Sequence, residues 1–176
     1  GVGGFTGTLV AAHRDEFYAR PTRPPERLAL GVVAGVDVSQ GGTWLGAHAS
    51  GLFVGLTNQR SFGGRDPSKK TRGAVVTDTL APGSLREAVG VLQRLDAREY
   101  NGLNLLLGDG EKLMVAYARP EQREVELHDL APGVHVLGND RLLAPDFPKA
   151  ARIAVEASAH AGEHAGRSLR QQLPAL

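Results

Sequence analysis

Three apolar runs in this chain end abruptly in polar side chains, and that pattern sets most of what it can fold into. Leu9-Val10-Ala11-Ala12 runs into His13-Arg14-Asp15-Glu16, with Phe17, Tyr18 and Pro21 close behind. Gly42-Thr43-Trp44-Leu45-Gly46 and Gly55-Leu56-Thr57-Asn58-Gln59-Arg60 have the same form. Each reads as a strand whose end delivers polar groups to one place. A sheet that gathers these ends into one pocket is the expected arrangement.

The remaining segments fit such a sheet. Leu30 to Val36 reads as a short strand. Thr43 to Ala49 and Leu52 to Thr57 read as a hairpin turning at Ser50-Gly51, since glycine accepts the positive φ of tight hairpin turns. Leu103 to Gly108 and Leu113 to Ala118 form a second hairpin around Asp109-Gly110. Glu124 to His128 and Val134 to Leu137 follow as strands, split by Ala131-Pro132-Gly133. The clearest helix is Ser84 to Leu95. Ser84 and Glu87 have the spacing of a capping box, and Leu85, Ala88, Val89, Leu92 and Leu95 share one face. Gly73 to Leu80 reads as a shorter helix before it. A last helix begins near Asp146 with Pro148 in its first turn. It runs through Ala150, Ile153, Ala154 and Ala157 and weakens at Gly162 and Gly166.

The connections divide by composition. Gly1 to Gly7 is glycine-rich but has no strand before it and no helix after it, as a dinucleotide-binding loop requires; a turn is expected. Pro21, Pro24 and Pro25 imply an extended surface loop. Ser61 to Arg72 reads as a mobile loop carrying Arg65, Lys69, Lys70 and Arg72, either solvated or holding an anion. Strands, helices, strands and a final helix, in that order, predict one α+β domain with mainly antiparallel strands.

Composition narrows the partners. The chain has 176 residues, 41% of them apolar, and a formal net charge of +1. That balance calls for neither nucleic acid nor an anionic membrane. No apolar run approaches the roughly 20 residues of a membrane span, and no signal peptide opens the chain. A cytoplasmic address is the default expectation. Cysteine is absent, which excludes disulfides and cysteine-ligated zinc. His160 and His164 stand one helical turn apart but have no evident third ligand, so no metal is expected.

Polar residues at strand ends are the chemical candidates. Asp15 with Arg14 beside it either serves a pocket or closes a sheet edge as an ion pair. Asn58 ends an apolar strand, where its amide can donate to a developing oxyanion or tie down a loop. Asn101 and Asn104 bracket the start of another strand, and Asn139 follows Val134-His135-Val136-Leu137-Gly138. Several such asparagines suit a site that polarises a carbonyl, although each alone is a common turn former. Trp44 is the one tryptophan, a core residue or a pocket wall.

His13-Arg14-Asp15-Glu16-Phe17-Tyr18-Ala19-Arg20-Pro21 resembles the signature of the NRDE family, also called the transport and Golgi organisation protein 2 family, with His13 where the signature has Asn. Gly41-Gly42-Thr43-Trp44-Leu45-Gly46, Leu56-Thr57-Asn58, Arg72-Gly73, Tyr100-Asn101-Gly102-Leu103-Asn104-Leu105, Gly138-Asn139 and Phe147-Pro148-Lys149 match in order. The resemblance implies a four-layer αββα sandwich like that of the N-terminal nucleophile hydrolases. In that superfamily an N-terminal cysteine, serine or threonine attacks an amide carbonyl, and its own α-amino group serves as base. The resemblance places that nucleophile, and the family's first strand, before Gly1, with the family's C-terminal strands beyond Leu176. It makes Asp15 the group that orients the nucleophile's amine, Asn58 the side-chain oxyanion donor and Asn139 a catalytic neighbour. Arg14, Trp44, Asn101 and Asn104 would contact substrate. The arginine that precedes the aspartate by three in bile-salt and penicillin amidases falls on Ala12 here.

Two functions follow from the resemblance. One is hydrolysis of a small acyl amide with no cofactor. The other is a non-enzymatic role in haem or lipid binding and trafficking, with haem as the possible ligand and His13 and His48 as its candidate contacts.

Overall fold

The computed structural model describes residues 7–14, 16–28, 31–60, 64–142 and 148–163. Seven strands form one sheet in the order of the chain: β1 (Thr22–Arg27), β2 (Val32–Asp37), β3 (Leu45–His48), β4 (Phe53–Asn58), β5 (Leu103–Gly108), β6 (Leu113–Ala118) and β7 (Glu126–Leu130). Every neighbouring pair is antiparallel. Helices α1 (Arg72–Leu80) and α2 (Leu85–Arg94) interrupt the sheet between β4 and β5, and α3 (Pro148–Glu163) follows β7. The expected mixed α+β class with antiparallel strands is therefore observed.

The core lies between one face of the sheet and the α1–α2 pair. Strand side chains alternate between faces. Leu103, Leu105 and Leu107 of β5, Met114, Ala116 and Ala118 of β6, and Val54 of β4 join Val75, Val76, Leu80, Leu85, Ala88 and Leu92 of the helices in one buried cluster. Fully burying one such leucine stabilises the fold by about 1.5–3 kcal/mol. The α2 helix forms as its sequence predicts. Ser84 is the N-cap and accepts from the Glu87 N–H, while Leu85, Ala88 and Leu92 are buried. Helix α1 sits close on β3 because Gly46 has no side chain; a Cβ there would come 2.7 Å from Leu80 Cδ1.

Four segments depart from expectation. The proline-rich stretch is not a loop but the edge strand β1, whose register with β2 shifts between Arg23 and Glu26. Pro24 and Pro25 lie at that irregularity, and an edge strand tolerates their missing donors. Leu9 to Ala12 has no strand conformation, and neither does Val134 to Leu137. The described part of the basic loop is tethered. The Lys70 N–H donates to the Glu99 carbonyl at 2.9 Å, and Lys70 bridges Tyr100 in parallel. Among the described residues no helix is long and apolar enough to cross a membrane.

Candidate functional site

Because the sheet is a meander, alternate connections emerge at the same end. β2 ends at Asp37, β4 at Asn58 and β6 at Ala118, while β3, β5 and β7 begin at Leu45, Leu103 and Glu126. One rim of the sheet thus carries Trp44, Asn58, Asn101 and the start of α1. The helix is fixed to it where the Thr43 N–H donates to the Gly73 carbonyl at 3.2 Å.

A polar row crosses the sheet just inside this rim. Thr57, Asn104, Tyr117 and Glu126 are successive cross-strand partners on β4 to β7. They lie on the face opposite the helices, since their neighbours Leu103 and Ala118 face the core. The segment from Gly138 to Leu142 runs across this row and takes its hydrogen bonds from it. Thr57 Oγ1 donates to the Gly138 carbonyl at 2.6 Å. Asn104 Nδ2 lies 3.3 Å from the same oxygen and 3.1 Å from the Asp140 carbonyl. The Leu142 N–H donates to Tyr117 Oη at 3.1 Å, and Arg141 meets Glu126 at 3.2 Å.

That segment sets Asn139 against Asn58. Asn139 Nδ2 donates to the Asn58 backbone carbonyl at 2.8 Å, and the Arg60 N–H returns a bond to the Asn139 carbonyl at 2.9 Å. Asn58 is exposed at the end of β4. Its backbone is held by β5 and Asn139, and its own carboxamide makes no hydrogen bond among the described residues. Two of the sequence-predicted residues are thereby brought together.

Asn104 is completely buried and fully engaged. Its Oδ1 accepts from Gln59 Nε2 at 2.8 Å while its Nδ2 serves the crossing segment. Asn101 is engaged elsewhere, with Oδ1 accepting from the Asp66 N–H at 2.9 Å and Nδ2 donating to the Asp66 carbonyl at 2.8 Å. Both carboxamides thus shape the rim by holding backbone. Arg14 and Trp44 meet as a cation–π pair, the guanidinium carbon 4.4 Å from the ring centroid. The indole lies against Gly35, where a Cβ would come 3.1 Å from Cη2. Asp15 lies outside the described residues. His13 is exposed. His48 Nδ1 is 2.8 Å from Ser50 Oγ, and its ring packs closely against Gly31 and Gly83. Among the described residues no group of three or more histidine or carboxylate side chains could hold a metal.

The roles of three contributors are not visible in the sequence considered as a string. Thr57 and Tyr117 matter because of what crosses over them, 81 residues later in the case of Thr57, and Gln59 matters because it holds the Asn104 carboxamide. Asp37 belongs to the same rim. Arg20 Nη2 donates to its Oδ2 at 2.5 Å, and the Ser39 and Gln40 N–H groups donate to Oδ1. Burial alone would raise the Asp37 carboxyl, but those hydrogen bonds and the Arg20 charge hold it below the usual range.

The family model for transport and Golgi organisation 2 matches residues 8–174. The transport and Golgi organization protein 2 homolog of Bos taurus is 33% identical over 148 residues, covering 78% of this chain and 52% of that protein. The homolog of Homo sapiens is 30% identical over 151 residues with the same coverage, 78% and 52%. The chain spans about half the length of these relatives. A match that extends over nearly all of the sequence settles the family: the chain belongs to the Transport and Golgi organisation 2 family.

Proposed function

We propose that the rim around Asn58 is the oxyanion-stabilising part of a site that hydrolyses a small acyl amide, in a fold of the N-terminal nucleophile hydrolase type. The helical pair on one sheet face supports that fold, as half of an αββα sandwich. The observation that carries the chemistry is the state of Asn58. Its backbone is held from two sides, yet its carboxamide N–H groups are committed to nothing among the described residues. A donor anchored through its backbone and left free to bond gains most when negative charge develops beside it. In amide hydrolysis a nucleophile adds to the carbonyl carbon, and the carbonyl electron pair moves onto oxygen. Asn58 Nδ2 would donate to that oxyanion. Collapse of the adduct restores the carbonyl and expels the amine, which takes the proton the nucleophile gave up; water then displaces the nucleophile and releases the acid. Asn139 acts by positioning Asn58. Asp15 keeps the role the resemblance implies, orienting the attacking group; no residue of this chain is assigned as nucleophile.

A ligand with an apolar body, haem or a lipid, is the second reading. The side chains of Leu9, Phe17 and Tyr18 favour it, being 68%, 83% and 108% exposed in the stretch that brings Arg14 to Trp44. Screening the full-length protein against small acyl amides, beside Asn58→Ala and Asp15→Asn variants, tests the first reading. Turnover of an amide that both substitutions depress supports it. Equal rates in the Asn58 variant remove Asn58 from the chemistry. No amide turnover, with a saturable change in haem absorbance on titration, favours the second.

A further inference from the structure

Arg65, Lys69 and Lys70 in the connection between β4 and α1, with Arg72 at the first position of α1, divide into two pairs. Lys70 meets Glu99 at 2.7 Å, and Lys69 Nζ donates to the Arg98 carbonyl; both face the short 3-10 turn at Ala97–Glu99. Arg65 and Arg72 have no such partner. Arg72, half-buried at the first position of α1, donates through Nη1 to the Gly102 carbonyl at 3.3 Å. Arg65 Nη2 donates to Gln40 Oε1 at 3.3 Å. Neither makes an ion pair with a carboxylate among the described residues. Of the nearby carboxylates, Asp37 is already held by Arg20 and Asp66 accepts from Ser68, and α1 has no acidic residue in its first turn.

Arg72 is therefore a cation placed against its own electrostatics. Burial, and then the charges of Arg65 and Arg20, push its pKa below the ordinary arginine value. A half-buried charge surrounded by like charges is unfavourable unless a counter-charge joins it. The place is also the right one for a ligand. The Gly102 carbonyl that receives Arg72 also receives the Gln59 N–H at 3.0 Å, so Arg72 stands on the rim next to Asn58.

We propose that Arg65 and Arg72 form a subsite for an oxyanion, the carboxylate or phosphate group of a small ligand seated on this rim. Guanidinium forks match both groups geometrically, donating paired hydrogen bonds. Nothing in the subsite requires amide hydrolysis; a rim that binds without reacting uses it equally.

Inorganic phosphate and acetate, titrated separately at constant ionic strength in chloride and followed calorimetrically, test this. The unmodified protein should bind at least one of them saturably. Arg72→Gln and Arg65→Gln should each weaken that binding about tenfold or more, as loss of a hydrogen bond to a charged group implies. Lys69→Gln, with the same change in net charge in the same loop, should leave it unchanged. Saturation by phosphate alone identifies a phosphate group, by acetate alone a carboxylate, and by both a shared oxyanion site. Absence of saturable binding by either ion overturns the proposal, as does equal weakening by Arg65→Gln and Lys69→Gln. Arg65 is exposed, so its variant decides the matter even where Arg72→Gln does not fold.

Discussion

Asn104 Nδ2 donates to the backbone carbonyl of Asp140 at 3.1 Å across a separation of 36 residues. That bond joins the middle of the sheet to the strip of chain that positions Asn139. Removing the carboxamide leaves its partners unequal. The Gly138 carbonyl keeps Thr57 Oγ1, and Gln59 Nε2 keeps the Leu103 carbonyl, so the group losing most is the Asp140 oxygen. Asn104→Ala should cost about 1–3 kcal/mol, the scale of one buried polar group left unsatisfied. Urea unfolding measures the loss. Native-state hydrogen exchange should show faster exchange at the Arg60 and Leu142 amides, both of which bond within or to the crossing strip. Uniform acceleration across β5 and β6 instead would mean that the strip is not a separate unit.

Asn58 should behave in the opposite way. It is exposed and its side chain bonds to nothing among the described residues. Asn58→Ala should therefore change stability by no more than about 0.5 kcal/mol, as at other surface positions. If it is the oxyanion donor, turnover should fall roughly 100-fold or more. A matched loss of stability and turnover would assign it to structure instead.

The contrast between these two asparagines shows how far the sequence reaches. Asn104 as the one polar residue inside Leu103-Asn104-Leu105-Leu106-Leu107 is visible in the string, and so is the hairpin it opens, because Asp109-Gly110 divides two apolar runs. Its partners are invisible there, since they come from a distant segment that passes over the sheet. Val134 to Leu137, which leads into that segment, is not the strand its pattern suggests. Alternating apolar residues imply a neighbouring strand, but the chain that follows draws its hydrogen bonds from the side chains of Thr57, Asn104 and Tyr117. The proline pair at residues 24 and 25 misleads for another reason. Proline argues against a central strand, whereas β1 is an edge with one neighbour. The charged run at residues 13–16 signals the family, and Arg14 meets Trp44 at the rim without any strand beneath it.

The Asp37 carboxyl gives the rim a defined acid response. Its folded pKa lies below the unfolded value, because the Arg20 and backbone hydrogen bonds outweigh the effect of burial. A depressed carboxyl contributes stability that is fully present above the unfolded pKa of about 3.9 and disappears as pH falls through the folded value. Stability should therefore decline below about pH 4, with part of that decline belonging to this pair. Asp37→Asn should lower stability at neutral pH and flatten the acid limb of a melting-temperature profile. A profile parallel to that of the unmodified protein would show that Asp37 titrates alike in both states.

Gly42 decides where α1, and with it Arg72, can sit. Its φ is +75°, and a Cβ built there would lie 2.4 Å from the Gly73 carbonyl carbon and 2.6 Å from the Gly73 oxygen. Both the backbone conformation and the space exclude a side chain. The obstacle is backbone, which cannot swing aside, so Gly42→Ala must push the β2–β3 connection away from the helix start. The hydrogen bond from the Thr43 N–H to the Gly73 carbonyl spans that junction and should break first. Gly73→Ala should be milder, because its Cβ would approach Gly41 and Thr43 backbone atoms at 3.1 Å rather than overlap them. Strain of this kind costs on the order of 1–3 kcal/mol, and the overlap adds to it. Denaturant midpoints should rank the unmodified protein above Gly73→Ala and that above Gly42→Ala, and oxyanion binding by Arg72 should weaken in Gly42→Ala even where the protein remains folded. Equal midpoints for the two variants would mean that the connection yields freely and does not set the position of the helix.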